Sequence, residues 1–211
     1  MYLTKTPTFI QSLFPNFIWR IDSSKKTLFL TFDDGPVPGI TDWVLDILAS
    51  HSAKATFFCV GENVEKHPLL FNRIKEEGHA IGSHTYHHKN GWQTNKQDYL
   101  QDVKKCAELV GSNLFRPPYG RMTPSQALTL KDKYNIVMWD ILTGDFDDKL
   151  DQDECFQKII KESKAGSILV FHDSIKAKDN LTNILPRVLN HYTKLGYTFE
   201  SLSNVISATD N

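Results

Sequence analysis

The chain has 211 residues, enough for one well-buried domain and short for two. Hydrophobic residues make up 40% and charged residues 23%, which excludes an intrinsically disordered chain. With 24 basic against 25 acidic residues the net charge is −1, so no basic excess marks a nucleic-acid binder.

Residues 1–26 read as an N-terminal extension packed on a domain of residues 27–211. The mildly apolar stretch from Phe9 to Trp19 is interrupted by Gln11, Ser12, Pro15 and Asn16, and no small-residue cleavage site follows. It makes a poor secretory leader, so a cytoplasmic location is the default expectation. A leader already removed would instead imply an exported or cell-envelope role. Beyond it, β-rich runs alternate with helical patterns. Strands are predicted over Thr27–Phe32, Lys54–Val60, His79–Ser83, Leu114–Arg116, Ile136–Asp140, Ser167–Phe171 and Tyr197–Glu200. Helices are predicted over Thr41–Ser50, Asn63–Glu77, Gln97–Val110, Pro124–Tyr134, Asp153–Lys164 and Asn183–Leu195. Gly78, Gly111, Gly166 and Gly196 serve as stops.

Apolar runs such as Phe57-Phe58-Cys59-Val60 fall well short of the roughly 20 residues of a spanning helix, so no integral membrane segment is expected. The three cysteines, Cys59, Cys106 and Cys155, are far apart and read as reduced, buried thiols. Strand–helix alternation of this kind means β-α-β units and an α/β fold on a parallel sheet. Periodicity leaves open whether that sheet closes into a barrel. No Gly-x-Gly-x-x-Gly follows the first strand, so a dinucleotide site has no support.

In parallel sheets, sites form beyond the carboxyl ends of the strands. Asp33-Asp34-Gly35-Pro36 follows the first strand, and His84-Thr85-Tyr86-His87-His88 the third. Arg116-Pro117-Pro118-Tyr119-Gly120 follows the fourth strand, Asp145-Phe146-Asp147 the fifth and His172-Asp173 the sixth. Two adjacent carboxylates stay ionised together when a cation lies beside them, although a turn capping the next helix also explains them. His84 and His88 stand at i, i+4, where one helical turn puts both imidazoles on one side. With one Asp they form a three-ligand metal site with an open position. His87 points elsewhere. Arg116 can orient a carboxylate base through a charge-assisted hydrogen bond, or simply brace a rigid turn. His172 is catalytic or a satisfied core residue. Exposed aromatics such as Trp92, Tyr86 and Phe146 are candidates for stacking on sugar rings.

These segments resemble the polysaccharide deacetylases, the fourth family of carbohydrate esterases. T-F-D-D-G-P at Thr31–Pro36, H-T-Y-H-H at His84–His88, R-P-P-Y-G at Arg116–Gly120 and S-I-L-V-F-H-D at Ser167–Asp173 carry the likeness. The resemblance implies a deformed (β/α) barrel of about seven parallel strands. It also implies a divalent metal, zinc first with Co, Ni or Fe as alternatives, held by Asp34, His84 and His88. Asp33 would be the base that deprotonates the activated water, oriented by Arg116. The Tyr119 N–H would stabilise the oxyanion, His172 would be the acid, and Pro118, Tyr119 and Phe146 would line the substrate site. The fourth motif departs from the family pattern, with Leu142 for the first Asp and Phe146 for the Trp. The resemblance gives that first Asp the task of tuning His172, so Asp145 becomes the candidate partner. The implied substrate is an N-acetylated glycan of the N-acetylglucosamine type, such as peptidoglycan or chitin oligomers. An O-acetyl esterase and a non-catalytic carbohydrate-binding domain are the alternatives. Oligomeric state is not legible.

Overall fold

The computed structural model describes residues 4–202. After a short helix α1 (Thr8–Leu13), the chain enters β1 (Thr27–Asp33), buried along its whole length. Helix α2 (Thr41–Ser50) leads to β2 (Ala55–Cys59), also wholly buried. Such near-continuous apolar runs mark strands covered on both faces. Helices α3 (Gly61–Lys66) and α4 (Pro68–Glu76) precede β3 (Ala80–Ser83). Pro68 starts α4 where it cannot donate a backbone hydrogen bond, so the single helix predicted over Asn63–Glu77 is two.

Helix α5 (Lys96–Val110) is capped by the Asn95 side chain on the Asp98 N–H and ends at Gly111, whose φ of 67° is left-handed. Strand β4 (Leu114–Phe115) runs into a 3-10 turn over Pro118–Gly120. Helix α6 (Pro124–Leu130) opens on a capping box of Thr123 and Gln126. Strands β5 (Asn135–Ile136) and β6 (Ile141–Leu142) replace the one strand predicted over Ile136–Asp140. The reason is local: the Val137 and Met138 carbonyls accept hydrogen bonds from the buried Arg116 guanidinium at 3.2 and 2.8 Å. Helix α7 (Gln152–Glu162), β7 (Ile168–His172), α8 (Lys178–Lys194) and β8 (Thr198–Phe199) complete the fold. Helix α8 begins before the predicted Asn183 and carries Pro186 in its interior. Leu181, Leu185, Val188, Leu189 and Tyr192 bury one face at helical spacing, which outweighs the proline.

The strand order is β5-β4-β3-β2-β1-β7-β6, and every pairing along it is parallel. Strand β8 pairs with the start of β1. The sheet curls into a deformed (β/α) barrel. Segment 4–21 hydrogen-bonds both end strands: the Leu142 N–H of β6 donates to the Thr4 carbonyl at 2.7 Å, and the Ile18 N–H donates to the Ile136 carbonyl of β5 at 2.8 Å. No helix among the described residues is long and apolar enough to cross a membrane. All three cysteines are buried and unpaired.

Register fixes what meets at the carboxyl rim. Asp33 is level with His172 across the β1–β7 pair. Ser83 is level with both Cys59 and Phe115, so His84 and Arg116 leave their strands at the same height.

Candidate active site

Asp33 is the last residue of β1 and is buried. Its neighbour Asp34 has a φ of 83°, which bends the chain out of the strand. On a regular strand the two carboxylates would face opposite ways. The bend lets both line the same cavity, of about 570 Å³.

Several hydrogen bonds hold the bend. The Asn63 amide donates to the Asp34 carbonyl at 2.7 Å, and the Val60 N–H to the Gly35 carbonyl at 3.0 Å. The buried Asp173 accepts from the Gly35 N–H at 3.1 Å and from the Thr41 hydroxyl at 2.5 Å. A Cβ on Gly35 would lie 2.0 Å from the Asp173 carboxylate, so only glycine fits there.

His84 and His88 do meet, but not through a helical turn. The segment is a loop, with Thr85 and His88 at φ of 61° and 53°. Asp102 on α5 anchors it, accepting from the Tyr86 and His87 N–H groups at 2.9 and 3.0 Å and pairing with His87 Nδ1 at 2.5 Å. His87 therefore points away from the cavity. Tyr86 is buried and offers no exposed sugar platform, a correction to the sequence expectation. Its ring is covered by Lys105.

His84 Nδ1 lies 2.9 Å from the Arg116 carbonyl, which only accepts. The proton therefore sits on Nδ1, and Nε2 keeps its lone pair. Burial, only partly opposed by Asp33, lowers the His84 pKa to about 4. His84 Nε2 is 3.8 Å from Asp34 Oδ1, and His88 Nε2 is 3.1 Å from the same atom. Burial disfavours the Asp34 charge, but the His88 hydrogen bond and the nearby His172 and His84 outweigh it, holding the carboxyl well below its usual range. One ligand atom from each of Asp34, His84 and His88 lies within 4.8 Å of the others. Two imidazole nitrogens and a carboxylate oxygen are the donor set of a three-ligand divalent-metal site.

Arg116 is fully buried. Its Nη1 donates to Asp33 Oδ1 and to Thr31 Oγ1, both at 2.7 Å. Thr31 and Asp33 are two apart on β1 and so share a face. Every guanidinium nitrogen finds an acceptor, and its plane lies 4.1 Å from the Phe58 ring centroid. Asp33 is thereby fixed, with Oδ2 left 3.9 Å from His84 Nε2.

His172 stands at the end of β7. Its Nδ1 is 2.7 Å from Asp145 Oδ1, and its backbone N–H donates to Asp145 Oδ2 at 2.8 Å. Leu142 lines the cavity and leaves no gap in this pairing, because Asp145 reaches the ring from the loop after β6. Burial works against the imidazolium, but the charge and hydrogen bond of Asp145 carry the His172 pKa up to about 9. Asn180 on α8 steadies the loop by donating to the Asp145 and Asp147 carbonyls at 2.9 and 2.8 Å.

Tyr119, with a φ of 61°, is exposed and sets its ring edge-on to His88 at 4.8 Å. Pro118 is buried and stays out of the cavity wall, while Phe146 lines it edge-on to His172 at 5.1 Å. Arg121, Trp139, Ser174 and Lys176 also line it and were not singled out by sequence reasoning. The signal for two of them was position: Arg121 directly follows Gly120, and Ser174 directly follows Asp173.

Residues 20–138 match the family model for polysaccharide deacetylases. The chain belongs to the polysaccharide deacetylase family and is a hydrolase. It is 31% identical to a peptidoglycan-N-acetylglucosamine deacetylase of Bacillus cereus over 195 residues, covering 89% of this chain and 92% of that one. It is 33% identical to a chitooligosaccharide deacetylase of Azorhizobium caulinodans over 165 residues, covering 73% and 77% respectively. A solved peptidoglycan N-acetylglucosamine deacetylase, in complex with 4-naphthalen-1-yl-N-oxidanyl-benzamide, superposes with a TM-score of 0.86 at 30% identity, covering 95% of this chain and 96% of that one. Family membership and the Asp34–His84–His88 cluster together mark a divalent-metal site in this polysaccharide deacetylase.

Proposed function

We propose that this chain hydrolyses the N-acetyl amide of an N-acetylglucosamine-type glycan, such as peptidoglycan or chitin oligomers, releasing acetate and a free amino sugar. The observation that carries this reading is the level pairing of Asp33 with His172, which sets a carboxylate and an imidazole on the wall of the cavity that also holds Asp34, His84 and His88. An amide is a poor electrophile with a poor leaving group, so its hydrolysis needs a base, an acid and a Lewis acid. Asp34, His84 and His88 would hold the cation, with zinc the first expectation and Co, Ni or Fe also suited to a two-nitrogen, one-oxygen set. Such a cation supplies Lewis acidity that brings water deprotonation towards neutral pH and draws charge from the acyl oxygen.

The chain's own groups handle the protons. Asp33, with Oδ1 tied to Arg116, takes a proton from the attacking water on Oδ2 as the C–O bond forms. The Tyr119 N–H is the oxyanion donor, because Pro117 and Pro118 before it have no N–H to give. His172, with Nδ1 bound to Asp145, gives the Nε2 proton to the departing nitrogen as the C–N bond breaks. An imidazolium raised to about 9 is still charged at neutral pH, which suits an amide leaving group better than an ester.

Metal-loaded protein should release acetate from N-acetylglucosamine oligomers. Asp33→Asn should keep the metal and lose turnover by about 10²–10⁴-fold, the usual worth of a general base. Full activity in that variant would remove Asp33 from the mechanism. Oligosaccharide binding without turnover at any metal loading would leave a carbohydrate-binding domain instead.

A further inference from the structure

Nearly every charge around the cavity has an opposite charge to answer it. Asp33 is paired with Arg116 and His172 with Asp145, while Asp34 faces the His84 and His88 imidazoles with which it forms the metal-binding cluster. Two cations on the cavity wall differ. Among the described residues neither Arg121 nor Lys176 forms an ion pair, and the contacts of their charged ends are with aromatic rings, yet both line the cavity. Neither is left loose. The Arg121 guanidinium lies 4.9 Å from the Trp92 ring centroid, and Lys176 Nζ lies 5.9 Å from that of Phe146. Rings at these distances hold a cation in place without neutralising it. Arg121 arrives on the loop after β4 and Lys176 on the loop after β7, with β3, β2 and β1 between those strands in the sheet.

A neutral chitin-type oligomer offers such cations hydroxyl and carbonyl oxygens but no opposite charge. A carboxylate close to the hydrolysed N-acetyl group supplies that charge, and charge-assisted hydrogen bonds from Arg and Lys are the usual means of holding one. Resting on the deacetylase reading above, we propose that Arg121 and Lys176 are specificity residues that select an anionic N-acetylated glycan, gripping a substrate carboxylate on either side of the reacting amide. In a peptidoglycan-type strand that carboxylate is available from two sources, the lactyl ether on the sugar and the attached peptide. The cavity of about 570 Å³ is of the size that takes a sugar unit with such a substituent.

The test compares kcat/KM for acetate release on four glycans of equal length. These are a neutral chitooligosaccharide, a peptide-free strand with free lactyl carboxylates, the same strand with those carboxylates amidated, and a strand whose only free carboxylates are on the peptide. The wild type should favour a carboxylate-bearing strand over both neutral ones, and the preference should weaken with added salt. The favoured strand identifies the source. Arg121→Gln and Lys176→Gln should each cut the anionic-to-neutral ratio by about three- to tenfold through KM, and the double variant by more. Arg121→Lys and Lys176→Arg should restore most of the ratio. Equal rates on charged and neutral strands, or a ratio unmoved in the double variant, overturn the assignment while leaving the deacetylase reading intact. Absence of acetate from all four glycans overturns the deacetylase reading itself.

Discussion

Arg116 shows how far one side chain can serve both fold and chemistry. It closes the gap between β5 and β6 by taking the Val137 and Met138 carbonyls, and it fixes Asp33 at 2.7 Å. Arg116→Ala would leave the Asp33 charge buried alone, at a cost of about 3–5 kcal/mol in unfolding free energy, read from denaturant melts. An undiminished melt would deny the pair its structural role. At His172 the prediction concerns pH. Burial opposes the imidazolium, and Asp145 reverses that to give a pKa of about 9 against an ordinary 6.5. A raised folded pKa stabilises the metal-free fold fully below about 6.5 and ceases to as pH rises through about 9. Asp145→Asn should bring the His172 NMR titration in stripped protein down towards its ordinary range or below. It should also draw the alkaline limb of the rate profile to lower pH. An unmoved titration would show that another group charges the ring. In the sequence, Asp145 was legible as a reactive residue at a strand end. Its pairing with His172 was expected only through the family resemblance, because the reach itself depends on a loop held by Asn180 from α8.

At the scale of elements, most of the strands and helices were legible because apolar periodicity reports burial directly. The breaks were not. Pro68 divides a predicted helix, while Pro186 sits inside a helix whose apolar face overrides it. The same residue type gives opposite outcomes because tertiary burial decides. The His84–His88 spacing suggested a helix and belongs to a loop in which two residues adopt positive φ. The imidazoles converge because Asp102 gathers the loop's amides. Asp102→Ala would strip acceptors from the Tyr86 and His87 N–H groups, costing about 1–3 kcal/mol. Metal affinity, measured by competition with a chelator, should fall with it. Gly35→Ala tests the opposite wall: with its Cβ set 2.0 Å from Asp173, the Asp34 turn must shift, and metal affinity should drop again. Retained affinity in both variants would mean the ligand loops hold themselves.

Across the whole molecule, strand alternation pointed to a parallel α/β sheet but not to its curvature. Curvature depends on partners far apart in sequence. Segment 4–21 lacks periodicity, yet it bonds to strand regions near both ends of the sheet order and buries Trp19 and Ile21. Deleting residues 1–21 should lower the melting temperature and expose unpaired backbone at the β5 and β6 edges, seen as faster amide exchange there. Unchanged exchange would show the segment to be dispensable. What the sequence did carry at this scale was convergence: reactive residues from five strand ends reach one rim, because parallel strands present their carboxyl ends together. Zinc titration of stripped protein by calorimetry, with acetate release from a chitin oligomer followed on the same aliquots, tests that convergence most directly. One ion per chain should bind, activity should rise in step with occupancy, and His84→Ala should abolish both. Acetate release independent of bound metal, or tight binding that survives His84→Ala, would contradict the site.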